Sequence, residues 1–223
     1  MQDDSPAPRP ASLSPRRNDT SSGGPLTYDA ESSTVEAVIS EGSPVVRAYG
    51  TEVLRISQDA VDLSRLHAGG IPLLDHHSQA CIDRVLGRAT DIWLEDGALI
   101  GRFVFAQTEQ GRKAEGMVSR GELTGISAGY RVDAWEITKP DGDIVDEAKV
   151  RWDDDLTFTA TRWQLFECSL VGVPADGAAM VRSLGGRDDL ADVRARMTAR
   201  RNIVARNSVL LSSSDDDDDE LTA

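Results

Sequence analysis

The stretch Arg84–Ala106 reads RVLGRATDIWLEDGALIGRFVFA and decides the class of fold. Two apolar-rich runs, RVLGRATDIWLE and ALIGRFVFA, are split by Asp96-Gly97. A two-residue hairpin turn needs positive φ at both central positions, and Asp-Gly between alternating apolar runs meets that need. The stretch therefore predicts a β-hairpin. Working outward, Thr34–Ser40 (TVEAVIS) alternates as a strand does. Pro44–Tyr49 (PVVRAY) and Glu52–Ile56 (EVLRI) follow short turns carrying Gly42 and Gly50, a spacing that predicts antiparallel strands. Val61–Leu66 reads as a helical turn and Ile71–Leu74 as a short apolar strand.

Beyond the hairpin, Thr108–Arg120 (TEQGRKAEGMVSR) lacks β-branched runs and is rich in Glu, Lys, Arg and Ala. It predicts a helix weakened by Gly111 and Gly116 and capped by Gly121. Leu123–Ile137 is strand-like, and Lys139–Lys149, with its Pro-Asp-Gly turn and many acids, predicts an exposed loop. Two further strands are expected at Leu156–Thr161 and Gln164–Val171, the second closed by Pro174. Asp188–Val204 reads as a helix with Leu190, Val193, Met197 and Val204 near one face. The expected class is mostly β with flanking helices (α+β), seven to nine short strands in an antiparallel barrel or sandwich. The expected organisation is a disordered tail over 1–30, one folded domain over 31–185, a helix over 186–206 and a disordered acidic tail over 207–223.

Composition restricts function. The chain has 223 residues, a formal net charge of −14 and 39% hydrophobic residues, and suits one domain with tails. The first segment, rich in Pro, Ser, Asp and Gly, cannot bury enough surface to offset its ordering entropy, and it lacks the apolar centre of a secretory signal. No stretch approaches the ~20 apolar residues of a membrane span. A cytoplasmic chain is expected, with Cys81 and Cys168 as reduced thiols. The run Asp215–Glu220 repels itself and stays solvated. Such charge argues against nucleic acid as a partner, since phosphate contacts need clustered Lys and Arg.

The chain has three histidines: His67 before a Gly-Gly turn, and His76 and His77 where an apolar strand runs into a loop. Functional groups tend to sit where a loop leaves a rigid scaffold. Ser127 lies in LTGISAGY between Gly125 and Gly129, glycines that would let a substrate backbone approach. It reads either as a small packing residue or as a nucleophile. Glu167, in WQLFECSLV, is an acid in an otherwise apolar strand, so it is either an outward edge residue or a partner for an imidazole. A serine hydroxyl becomes a nucleophile only with a base beside it, and the base needs an orienting acceptor. His77 and Glu167 would fill those places. A metal site built from His76, His77 and Cys81 is the rival chemistry; its spacing is poor and no CxxC pair supports it.

Three segments carry a resemblance. PLLDHHSQACIDRVLGR is an apolar strand leading to a histidine, with Leu86-Gly87 following. LTGISAGY holds Ser127 in a Leu-x-x-x-Ser-x-Gly-Tyr pattern. LFECSLVGVPA holds Glu167 in a Leu-x-Glu-x-Ser-Leu-Val-x-x-Pro-Ala pattern. In this order they resemble the prohead maturation proteases of tailed bacteriophages, over about Val35–Ala179. That family is distantly similar to the herpesvirus assembly proteases, which implies a barrel with surrounding helices. The resemblance implies a serine endopeptidase of Ser-His-Glu type, with Ser127, His77 and Glu167 catalytic. The base is His77 or His76, and the distance to Gly87 favours His77. Backbone near Gly129, or Arg131, would bind the oxyanion, and His76 would bind substrate. It further implies no metal or organic cofactor, and the major capsid protein, scaffold segments and the chain itself as substrates. A homo-oligomer inside the assembling procapsid in the host cytoplasm is expected. The alternative is a non-catalytic scaffold or internal capsid-assembly protein of the same fold.

Overall fold

The computed structural model describes residues 24–151 and 155–182. The helix expected at Asp188–Val204 and the acidic tail lie outside the described residues. The strands are β1 (Thr34–Ser40), β2 (Val45–Arg47), β3 (Gly50–Leu54), β4 (Val61–Asp62), β5 (Pro72–Asp75), β6 (Val85–Glu95), β7 (Ala98–Phe105), β8 (Gly125–Thr138) and β9 (Thr157–Val171). Two helices accompany them, α1 (Ser64–Ala68) and α2 (Glu109–Ser119). The class is mostly β with few helices, as expected.

β6 and β7 form the expected hairpin, with Glu95 opposite Ala98 and positive φ at both Asp96 (50°) and Gly97 (82°). α2 starts where Thr108 Oγ1 accepts the Gly111 N–H at 3.1 Å. It ends in the paired bonds of a left-handed glycine cap, Gly121 N–H to Val118 O and Glu122 N–H to Met117 O, each 2.9 Å. Its face of Gly111, Ala114 and Val118 is buried, packed toward β6 and β7.

Three expectations are corrected. Leu156–Thr161 and Gln164–Val171 are not two strands but parts of one 15-residue strand, β9. The sheet is mixed rather than antiparallel: β3, β4 and β5 all pair parallel to β9. They share one edge of β9 in succession, because β8 runs antiparallel along the whole of the other. Val61–Leu66 is not one helical turn, since Val61 and Asp62 pair with Trp163 and Gln164 before α1 begins at Ser64. In each case the long central strand offers ladder bonds that outweigh local preference.

The sheet runs β1-β7-β6-β5-β9-β3-β2, with β4 and β8 also on β9. It curls into a half-barrel, and a strap at residues 179–182 ties its two sides together. Val38 N–H donates to Met180 O at 2.9 Å and Ile126 N–H to Ala179 O at 3.1 Å. Inside lie Trp163, Phe103, Ile71, Leu73, Leu99, Leu165 and Leu170, all nearly inaccessible. Burial of each such side chain is worth about 1.5–3 kcal/mol against exposure. Among the described residues no helix is long and apolar enough to cross a membrane.

Candidate active site

The site is built where β8, β9 and the end of β5 meet on the face turned away from the core. On β9 the inward positions are Trp163 and Leu165, then Cys168 and Leu170. The change of phase comes from a register shift between Gly129 and Tyr130 of β8, which face Glu167 and Leu165 and leave Phe166 unpaired. A bulge of this kind turns two successive residues to one side, so Phe166 and Glu167 both face outward. Glu167 and Ser169 then share a face with their partners Gly129 and Ser127.

Gly129 has a use that the sequence did not reveal. A Cβ there would lie 1.9 Å from Glu167 Oε1, so the carboxylate lies against the bare backbone of β8. Glu167 is 4% exposed and Ser169 0%. A buried carboxylate must be compensated, and two donors do so. His77 Nδ1 donates to Oε1 at 2.5 Å, and Ser169 Oγ donates to Oε2 at 2.7 Å.

β5 ends at Asp75 and the chain turns through two left-handed residues, His76 (φ 48°) and His77 (φ 59°). Each costs roughly 1–2 kcal/mol for a residue with a Cβ. The turn is held by His76 N–H to Leu170 O at 3.2 Å, His77 N–H to Ser169 Oγ at 2.9 Å and Ser78 N–H to Asp75 O at 2.9 Å. The two rings part company. His77 lies on Glu167, while His76 Nδ1 donates to Asp75 Oδ1 at 2.9 Å and His76 Nε2 accepts the Gly172 N–H at 3.3 Å. His76 therefore braces the loops after β5 and β9. Hydrogen bonds from His76 and then Arg84 outweigh burial and hold the Asp75 carboxyl below its usual range.

The structure brings Ser127, His77 and Glu167 to one region: Ser127 sits opposite Ser169, whose hydroxyl also meets His77 and Glu167. The Ser127 hydroxyl makes no hydrogen bond among the described residues, to His77 or to any other group. Catalytic hydrogen bonds often tighten only when substrate arrives. Arg131 donates to Asp133 Oδ1 at 2.9 Å and lies 5.4 Å from the centre of the Phe166 ring, which Arg65 also covers at 4.8 Å. His67 lies exposed on α1. Cys81 is exposed and Cys168 buried, both free; burial, then the Glu167 charge, push the Cys168 thiol well up. Among the described residues no group of three His, Cys, Asp or Glu side chains converges to hold a metal.

Sequence reading passed over Ser169 and the cluster around Glu52. The signal for Ser169 was its two-residue spacing from Glu167, which on a strand means one shared face. Ser127 also lines a pocket with Arg47, Glu52, Tyr130 and Asp176. There the Glu52 carboxylate accepts from Tyr130, Tyr49 and Arg47, the last at 3.0 Å. Burial pushes the Glu52 carboxyl up, but those donors outweigh it and the net shift is downward. No local sequence pattern joins these residues, because β2, β3 and β8 meet only in the folded sheet.

A sheet that carries a buried carboxylate–histidine pair and an unbonded serine hydroxyl on one face has the chemical equipment of a serine hydrolase. The comparisons agree. The family model described as caudovirus prohead serine protease matches residues 26–189, and the chain belongs to that family. The chain is also 33% identical over 134 residues to the major capsid protein of Halomonas phage phiHAP-1, a match covering 60% of this chain and 20% of that protein's length. No solved structure matches the chain.

Proposed function

We propose that the chain is a serine endopeptidase of Ser-His-Glu type, acting inside the procapsid on capsid and scaffold proteins and on itself. The observation that carries the reading is the 2.5 Å bond from His77 Nδ1 to the buried Glu167 carboxylate. With Nδ1–H held by the carboxylate, Nε2 is the nitrogen left to carry the lone pair that a base requires. His77 Nε2 takes the Ser127 proton as Oγ attacks a peptide carbonyl carbon. The tetrahedral intermediate collapses, the C–N bond breaks and His77 protonates the leaving amine. Water, activated by the same imidazole, attacks the ester; the acid product leaves and Ser127 regains its proton. Glu167 stays ionised and stabilises the imidazolium. No step calls for a metal or organic cofactor. The edge of β8 away from β9 has no strand partner among the described residues beyond Ile126 until Ile137 meets Val145, so it offers backbone groups to an extended substrate. Capsid protein as substrate fits the family and the phage relative.

A second reading is a non-catalytic capsid-assembly domain of the same fold, favoured by the capsid-protein relative and by the absence of a Ser127–His77 bond. One experiment separates them. Wild-type chain and Ser127→Ala are incubated with a fluorophosphonate probe and, separately, co-expressed with the capsid protein, and intact masses are followed. The peptidase reading expects wild type to gain the probe at Ser127 and to lose segments of itself, with neither event in the variant. Wild type that neither labels nor cuts in the presence of capsid protein supports the assembly domain.

A further inference from the structure

We propose that Ser169 is a positioning residue that locks both the backbone and the ring of His77, an inference that rests on His77 being the base. A hydroxyl has one proton and two acceptor sites. The His77 N–H occupies one acceptor site at 2.9 Å, so the Ser169 proton is directed to Glu167 Oε2 at 2.7 Å. Glu167 uses its other oxygen for His77 Nδ1. The result is a closed ring: His77 backbone, Ser169 hydroxyl, Glu167 carboxylate, His77 imidazole.

The ring has two consequences. First, both Glu167 oxygens receive a donor, which is the arrangement of an ionised carboxylate; a protonated one would have to give up an acceptor position. Second, one hydroxyl joins the left-handed turn, through the His77 N–H, to the carboxylate that holds the ring, so a shift of that backbone carries over to the imidazole. Ser169 is fully buried, and water cannot replace its hydroxyl.

A merely structural role, filling space between β8 and β9 opposite Ser127, makes a different prediction. Ser169→Ala removes the hydroxyl. Ser169→Cys puts a somewhat larger thiol in place of the hydroxyl, a much poorer donor and acceptor. If Ser169 only packs, both variants, once folded, keep the wild-type ring geometry and labelling; if it positions His77, both lose them.

The test uses full-length chain labelled with 15N-histidine. The chain has three histidines, so His77→Gln assigns the His77 Nδ1–H proton resonance. Wild type should show that proton far downfield. In both Ser169 variants, still folded by thermal melting, it should move upfield or vanish by exchange, and the fluorophosphonate labelling rate of Ser127 should fall by up to about 10²-fold. Ser169→Thr, which keeps the hydroxyl, should recover the resonance and most of the rate. An unshifted resonance and wild-type labelling in the folded alanine and cysteine variants overturn the proposal. Wild type that shows the resonance but never labels refutes Ser127 as nucleophile, and Ser169 is then judged on the resonance.

Discussion

Replacing Gly129 by alanine places a methyl carbon 1.9 Å from Glu167 Oε1 and 2.6 Å from its carboxyl carbon. Real side chains essentially never approach under 3.0 Å. The carboxylate must therefore retreat by roughly 1 Å or more before repulsion subsides. The obstacle is the far end of a flexible side chain, so the fold gives way cheaply. Alanine is also preferred over glycine in a strand by about 0.5–1 kcal/mol, which offsets the cost of moving Glu167. Stability should stay within about 1 kcal/mol of wild type. The function should not. The retreating oxygen is the one that holds His77 at 2.5 Å, and a displacement of about 1 Å in a catalytic constellation costs up to about 10²-fold in rate. The assay is the rate of Ser127 labelling by a fluorophosphonate beside a urea melt of the same variant. A double-mutant cycle with Glu167→Gln sharpens it: once the carboxylate is neutral and the pairing weakened, Gly129→Ala should cost little more, because both act on one contact. A folded Gly129→Ala chain that labels at the wild-type rate, or losses that simply add, would falsify this account. Gly87 and Gly125 offer the contrast, since a Cβ there meets backbone oxygens of Val104 and Val171 at 2.2 and 2.4 Å and the ladder itself would have to move.

The three tyrosines of the chain, Tyr28, Tyr49 and Tyr130, should ionise late. Burial and then a carboxylate partner push Tyr28 and Tyr49 up to about 12 and Tyr130 still further. The folded values lie above the unfolded value of about 10, so this stabilisation is fully present below pH ~10 and is lost as pH rises toward 12. An ultraviolet titration should show no tyrosinate band at pH ~10 in the folded chain, and its appearance there would contradict the hydroxyl–carboxylate contacts. Gly97→Ala meets no atom within 4 Å but must adopt φ 82°, so it should cost about 1 kcal/mol by denaturant midpoint for conformational reasons alone; an unchanged midpoint would argue against the hairpin turn.

Local rules were enough for the β6–β7 hairpin, β1 and α2. An Asp-Gly turn, a period of two and a left-handed glycine stop are decided by residues a few positions apart, and the structure keeps all of them. The same economy marked Ser127, the histidine pair and Glu167 as chemically unusual: a serine between glycines, histidines at a strand end and an acid in an apolar run. Motif order supplied the family expectation, and the family match upholds it. What could not be read were relations between distant segments. β9 looked like two antiparallel strands because its bulges break the alternation near Thr161 and Phe166, although β8 runs along it from end to end. Parallel pairing of β3, β4 and β5 leaves no local mark, since each partner is about a hundred residues away. Why His77 and not His76 meets Glu167 depends on a left-handed turn whose bonds come from Ser169 and Leu170. The sequence by itself thus determined which residue types are present and which short segments turn, extend or coil, because those preferences are local free energies. The tertiary structure alone decided which of them touch, because burying Glu167 requires a glycine, a serine and a histidine from three separate strands or turns to converge on one carboxylate.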